Sequence, residues 1–151
     1  MTGLKRSLSV VGNSDGNLDL KIAFATDDGM SVNQHFGTTK AFAVYGINPE
    51  RYQLITVAEF EGFDAEGVDD KLIAKLEFLD GCIAVYCRAC GASAVSQLLD
   101  RHIQPLKVVD DLSIKELLNA FQRELNEGPS SWLAQAIKRQ RSDNAFTFES
   151  G

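Results

Sequence analysis

The chain has 151 residues, of which 44% are hydrophobic and 24% are charged, the composition and length of a single soluble domain with a substantial core. Its formal net charge of −6 argues against a nucleic-acid partner, because phosphate binding requires a basic face. No apolar run reaches the ~20 residues of a membrane helix, and no apolar segment follows the basic start, so neither a membrane span nor a signal peptide is predicted.

The first part of the chain predicts three strands. Residues 1–20 are rich in Gly, Ser, Asn and Asp and are interpreted as a flexible N-terminal arm. Apolar runs of strand length follow at Lys21–Thr26, Ala41–Ile47 and Tyr52–Phe60. The segment Asn48-Pro49-Glu50 carries turn chemistry, so the second and third strands are expected to form an antiparallel hairpin.

From Asp69 onward the pattern alternates between helices and strands. Asp69 or Asp70 can cap a first helix and Gly81 can close it. The wholly apolar run Cys82–Tyr86 is typical of a central parallel strand that is covered on both sides. A second helix has its inward residues between Ala92 and Leu99, and a fifth strand is predicted at Gln104–Val108.

The last part of the chain predicts two further helices. Ser113 and Glu116 have the spacing of a capping box, and Gly128-Pro129 breaks the helix that they start. A final helix is predicted near Ser131–Arg139, and residues 140–151 are interpreted as a flexible C-terminal tail. One α/β domain is therefore expected over residues 21–139.

The element order β-β-β-α-β-α-β-α predicts a mixed five-stranded sheet with helices on both faces. If the first and fourth strands are parallel neighbours, a ligand is expected beyond their carboxyl ends. These two strands lead into the loops Asp27–Thr39 and Cys87–Gly91. The topology therefore predicts that His35, Cys87 and Cys90 meet at one edge of the sheet.

These three side chains are the candidate metal ligands, because imidazole and thiolate are common ligands of soft and borderline transition metals. Three ligands leave a tetrahedral site open, as expected of a site shared with an incoming group. The N-terminus of the second helix favours a thiolate at Cys90. The complete candidate cofactor-binding set is His35, Cys87, Cys90, Arg88, Asn33, Gly37, Lys40 and Gly91.

In this set the glycines allow a bulky group to approach the backbone closely. Arg88 and Lys40, together with the amides of the second helix, can accept an anion. Catalytic signatures such as Gly-x-Ser-x-Gly, a phosphate-binding P-loop or paired carboxylates are not recognisable, which favours binding over turnover.

Two alternatives remain at this point, a thiol redox protein and a zinc-binding or interaction module, each using Cys87 and Cys90. An isolated Cys-x-x-Cys is also compatible with small residues at a strand end. Three cysteines in all, an odd number, argue against a disulfide scaffold and predict the reducing cytoplasm.

Several runs of the sequence resemble the dinitrogenase iron–molybdenum cofactor-binding family. They are Val32-Asn33-Gln34-His35-Phe36-Gly37, Phe42–Tyr45, Asp80–Val95 with its Cys-Arg-Ala-Cys-Gly segment, Gln104–Val108 and Glu127–Ala134. The resemblance covers roughly Lys21–Arg139 and implies a ribonuclease-H-like mixed sheet. It also implies a non-enzymatic part in nitrogenase cofactor assembly: holding an iron–sulfur precursor cluster, or the finished iron–molybdenum cofactor, between assembly proteins.

The partners that the resemblance implies are cofactor synthase and scaffold proteins of the NifB and NifEN type, with apo-dinitrogenase as an alternative. In the related NafY-type carriers, the histidine of the His-Phe-Gly motif is tied to cofactor binding, and His35 occupies that place. Carriers of that type have an additional N-terminal domain that engages the apo-enzyme. Residues 1–20 alone precede the core here, which favours a precursor carrier over an insertase.

Overall fold

The structure is a computed structural model that describes residues 20–60 and 68–150, with only the backbone described for residues 68–70 and 142–150. The strands are β1 (Leu20–Ala25), β2 (Ala41–Ile47), β3 (Tyr52–Glu59), β4 (Ala84–Cys87) and β5 (Gln104–Lys107). The helices are α1 (Val68–Phe78), α2 (Ala92–Asp100), α3 (Ile114–Glu127) and α4 (Ser131–Ser150). The predicted N-terminal arm lies outside the described residues, except for Leu20.

The five strands form one mixed sheet in the order β3-β2-β1-β4-β5. β1 pairs antiparallel with β2 and parallel with β4, so that Phe24 lies between Ala43 and Tyr86. β4 in turn pairs parallel with β5. This order confirms the predicted α/β fold and the predicted neighbourhood of the first and fourth strands.

Helices cover both faces of the sheet because successive residues of the central strands point to opposite sides. Ile22 and Phe24 of β1 belong to a core that α3 and α4 complete, the α3/α4 core. Ala23 and Ala25 belong to a second core that α1 and α2 complete, the α1/α2 core. With both faces of the central strands buried, the loops at the strand ends are the exposed places for a binding site.

The ends of three elements differ from the prediction. Cys82 precedes β4 instead of starting it, because its backbone N–H donates to the carbonyl of Leu79 and closes the turn after α1. The backbone is already helical at Val68, so Asp69 and Asp70 lie inside α1 and not at a cap. α4 continues to Ser150, so the segment predicted as a C-terminal tail is helical, and no Gly or Pro interrupts it before Gly151.

The predicted start and end of α3 are confirmed. The hydroxyl of Ser113 accepts from the backbone N–H of Glu116 at 3.0 Å, and the Glu116 carboxylate accepts from the backbone N–H of Ser113 at 2.8 Å. At the other end of α3, Gly128 has a φ of +128°, a backbone conformation that favours glycine. In the described part of the chain, no helix combines the length and the apolar character needed to span a membrane.

Candidate functional site

Two loops meet at the carboxyl ends of β1 and β4, as predicted. The His35 loop comprises residues 27–40, and the cysteine loop comprises residues 88–91. The backbone N–H of Arg88 donates to the carbonyl of Gln34 at 2.8 Å, and the backbone N–H of Phe36 donates to the carbonyl of Ala89 at 2.8 Å. His35 lies between these two bonds, directly beside the residues that join Cys87 to Cys90.

His35 is exposed, but its backbone is held in place. Its carbonyl accepts from the N–H of Thr39 at 2.9 Å, which forms a turn. The next residue, Phe36, is fully buried in the α1/α2 core and packs against Phe42 with ring centroids 5.5 Å apart. The loop therefore presents an accessible imidazole on an anchored backbone.

The two cysteines occupy different environments. Cys87, the last residue of β4, is 1% exposed, whereas Cys90 is only partly buried. A hydrogen bond between the two thiols, together with burial, raises the pKa of Cys87. The same bond lowers the pKa of Cys90, as expected if the Cys87 S–H donates to a Cys90 thiolate.

Cys90 also precedes Gly91, the N-cap residue of α2. Free N–H groups and the helix dipole favour a negative charge at this position. Cys90 is therefore the more acidic thiol of the pair, and Cys87 is its hydrogen-bond donor.

The structure does not assemble His35, Cys87 and Cys90 into a preformed three-ligand metal site. Among the residues whose side chains are described, no group of three or more His, Cys, Asp and Glu is placed to hold a metal ion. The physical reason is that side chains alternate between the two faces of a strand. Cys87 lies on the same face of β4 as Val85, in the α1/α2 core, whereas His35 is on the surface. His35 and Cys90 are the accessible pair.

The side chains of Arg88 and Asn33 hold the two loops in place. The guanidinium of Arg88 donates to the carbonyls of Asp110 at 2.8 Å and Val109 at 3.3 Å. The Asn33 amide donates to the Asp27 carboxylate at 2.8 Å and accepts from the Asp27 backbone N–H at 3.1 Å. Asn33 therefore closes the His35 loop, and Arg88 fastens the cysteine loop to the segment after β5.

Arg88 and Asn33 line a cleft of about 620 Å³ between the His35 loop and the start of α3. Carboxylates contribute much of its lining, from Asp28, Asp111 and Glu116. Hydrogen bonds from the backbone of Met30 and Ser31 lower the pKa of Asp28, which keeps that carboxylate charged. An anionic ligand is therefore not expected in this cleft.

The remaining predicted residues leave the edge of the sheet open. A Cβ atom added at Gly37 or at Gly91 would meet no atom within 4 Å, so nothing in the described chain covers the backbone there. Lys40 is exposed at the start of β2, where its carbonyl accepts from the N–H of Phe60 at 2.7 Å. A bulky group can therefore approach both loops from solvent.

Lys75 of α1 belongs to this region, and the sequence analysis missed it. Its side chain is 1% exposed, and its ammonium donates to the carbonyls of Phe36 at 3.1 Å and Gly37 at 3.0 Å. Burial, and secondarily the charge of Lys71, lowers the pKa of Lys75 to about 8. A signal was present: Lys75 falls on the same helical stripe as Leu72 and Leu79, which are core residues.

The thiol assignment predicts an order of chemical reactivity. We expect iodoacetamide to modify Cys90 well before Cys87 or Cys82, because burial raises the pKa of Cys82 to about 12. Cys87→Ala removes the S–H donor and should slow Cys90 modification, by roughly tenfold for each unit that its pKa rises. Peptide mass spectrometry between about pH 6 and 8 measures the rates.

Cys87→Ser is the matched control for this experiment, because its hydroxyl still donates to Cys90. Iodoacetamide should modify Cys90 faster in this variant than in Cys87→Ala. Equal rates in the two variants would contradict the assignment of the donor.

The chain is similar to known proteins over nearly its whole length. The family model for "Dinitrogenase iron-molybdenum cofactor" matches residues 19–124. The chain is 50% identical over 149 residues to Protein NifX of Azotobacter vinelandii, which covers 99% of this chain and 94% of that protein. It is 30% identical over 132 residues to the FeMo cofactor biosynthesis protein NifB of the same organism, covering 84% of this chain and 26% of NifB.

Among solved structures, the crystal structure of PH0822 superposes with a TM-score of 0.55 at 23% sequence identity. The match covers 69% of this chain and 89% of that one. At this identity the likeness concerns the fold.

Proposed function

The chain belongs to the dinitrogenase iron–molybdenum cofactor family, and from that premise we propose that it is a non-catalytic carrier of an iron–sulfur precursor cluster. Its relative NifB is a FeMo cofactor biosynthesis protein, and the family model that matches this chain is named for the dinitrogenase iron–molybdenum cofactor. The finer proposal is that the chain receives the cluster from a NifB-type synthase and delivers it to a NifEN-type scaffold in the reducing cytoplasm. The finished iron–molybdenum cofactor is the alternative cargo.

One observation carries the proposal: an exposed imidazole and a half-buried thiol stand on two loops that are joined by backbone hydrogen bonds. His35 and Cys90 are the proposed ligands, since imidazole and thiolate both bind iron. Cys87 is proposed to stabilise the Cys90 thiolate. Two protein ligands leave most of the cluster's coordination to other groups, which suits a protein that must release its cargo.

The open surroundings support the same proposal. Gly37 and Gly91 present uncovered backbone beside the two ligands, and Lys40 is an exposed cation at the same edge of the sheet. Thiolate-ligated clusters carry negative charge, which the N-terminus of α2 and Lys40 would attract.

Stoichiometry distinguishes a carrier from an enzyme. In an anaerobic reconstituted assembly mixture, we expect stimulation to rise in proportion to the concentration of this chain and to saturate near one chain, or one dimer, per cluster. An enzyme acts at small fractions of the substrate concentration because it turns over. Gel filtration with iron and sulfide analysis measures the bound cluster, and the amount of cluster that reaches the scaffold measures delivery.

Full stimulation at about a hundredth of the cluster concentration, the behaviour of a turning-over catalyst, would overturn the carrier proposal. A reversible Cys87–Cys90 disulfide that supports the same stimulation without bound iron would favour the thiol redox alternative instead. His35→Ala separates the two, because a carrier loses stimulation in this variant and a dithiol catalyst keeps it.

A further inference from the structure

A buried lysine supports the backbone of the His35 loop from below. The Lys75 ammonium bonds to two consecutive carbonyls, those of Phe36 and Gly37, immediately after the proposed ligand His35. Its Nζ atom also lies 6.0 Å from the centroid of the Phe36 ring, within the range of a cation–π contact. Three contacts from a single ammonium thus converge on one turn of the loop.

The position of this charge is unusual for a structural lysine. Lysine is almost never fully buried without a charged partner, and Lys75 is 1% exposed. Among the residues whose side chains are described, both of its hydrogen bonds go to uncharged carbonyls and no carboxylate pairs with it. Among the described residues, the neighbouring charge that acts on it is that of another cation, Lys71.

Such an arrangement costs folding stability near neutral pH. The pKa of Lys75 falls from the ordinary 10.5 to about 8, so between these pH values the unfolded chain binds more protons than the folded chain. Stability should therefore rise with pH through that window, and below about pH 8 the full cost of the buried charge is present. A residue retained at this cost invites a functional explanation.

We propose that Lys75 is a positioning residue of the cargo site, which fixes the His35 loop and adds a buried positive charge to the exposed one of Lys40 at this edge. This inference rests on the proposed function. The ammonium bonds to the two carbonyls that directly follow His35, so only the backbone of this turn separates it from the proposed ligand. A buried charge is screened by salt much less than an exposed one, so its attraction for an anionic group at His35 is preserved.

The test uses the full chain, with a [4Fe–4S] cluster reconstituted anaerobically from ferric iron, sulfide and dithiothreitol, the thiol reducing half of the iron. The variants are Lys75→Met, which keeps the length and removes the charge, and Lys75→Arg, which keeps the charge. Lys21→Met is the matched control, because Lys21 is an exposed lysine at the opposite end of β1. Circular-dichroism melts show which variants are folded.

We expect Lys75→Met to lose its cluster to an iron chelator at least about tenfold faster than the wild type, and Lys75→Arg to recover most of the retention. Lys21→Met should behave as the wild type. The cluster that remains on Lys75→Met should have a more negative reduction potential, because removal of a nearby positive charge disfavours the added electron. A lysine that served folding alone would leave that potential unchanged.

If Lys75→Met does not fold, the wild type and Lys75→Arg still decide the question. The wild-type potential should become more negative as pH rises past about 8, where Lys75 loses its proton, and Lys75→Arg should show no such step. If Lys75→Met folds and has the cluster retention and reduction potential of the wild type, this inference is overturned while the proposed function stands. The same holds if the potentials of the wild type and Lys75→Arg depend on pH in the same way. A wild type that takes up no cluster overturns the proposed function, and this inference with it.

Discussion

His35→Ala is expected to shed its cluster at least about tenfold faster than the wild type, equivalent to roughly 1.4 kcal/mol of binding free energy. The imidazole is exposed, and among the described residues its ring makes none of the hydrogen bonds that hold the loop, which are formed by backbone groups and by the side chains of Asn33 and Lys75. The thermal melt of the variant should therefore stay within about 1 °C of the wild type, as for surface substitutions in general.

His102→Asn is the control for this substitution. His102 is also exposed, but it lies just before β5, at the opposite end of the strands from His35. Its φ of +64° suits asparagine better than alanine. Cluster loss is measured anaerobically by absorbance after addition of an iron chelator. If His35→Ala and His102→Asn retain the cluster equally, His35 is not a ligand.

Phe36→Ala is expected to cause the largest loss of stability among changes in the two loops, about 3–5 kcal/mol in the free energy of unfolding. The ring is fully buried and packs against Phe42, so truncation leaves a cavity. The same side chain anchors the backbone that presents His35 and that accepts from Lys75. Urea unfolding followed by circular dichroism measures the change.

Phe36→Leu is the graded comparison, since it keeps most of the apolar volume and should cost less than about 2 kcal/mol. We expect it to fold but to release cluster faster than the wild type, because the loop is less tightly fixed. A loss below about 1 kcal/mol for Phe36→Ala, far under the usual range for a buried phenylalanine, would show that the loop does not depend on this anchor.

We expect cargo binding by the His35 loop to depend on the packing beneath that loop. In the His35 loop, an exposed imidazole is followed by a buried aromatic anchor, Phe36, and the buried ammonium of Lys75 bonds to the carbonyls of Phe36 and Gly37. Changes on the buried side should therefore affect cargo retention through position and charge, whereas changes at His35 should affect it through ligation.

The amino-acid sequence by itself determined the element order and the meeting of the two loops. Hydrophobic periodicity depends on each element alone, and the rules for short hairpins and parallel crossovers then allow few sheet orders. Turn and cap chemistry is equally local, which explains why the Ser113–Glu116 capping box and the Gly128 break were predictable. The location of the candidate site followed, because ligand-binding loops in such sheets lie where neighbouring parallel strands end.

Only the tertiary structure decided which way the site's side chains point and what they contact. The alternation of β4 carries Cys87 into the α1/α2 core, and the Arg88 side chain crosses to the carbonyls after β5. Lys75 is buried because the core-facing side of α1 packs under the His35 loop. The bonded residue Gly37 is 38 residues away from Lys75 in sequence. Contacts over such separations depend on how whole elements pack, and that information is absent from any local pattern of residues.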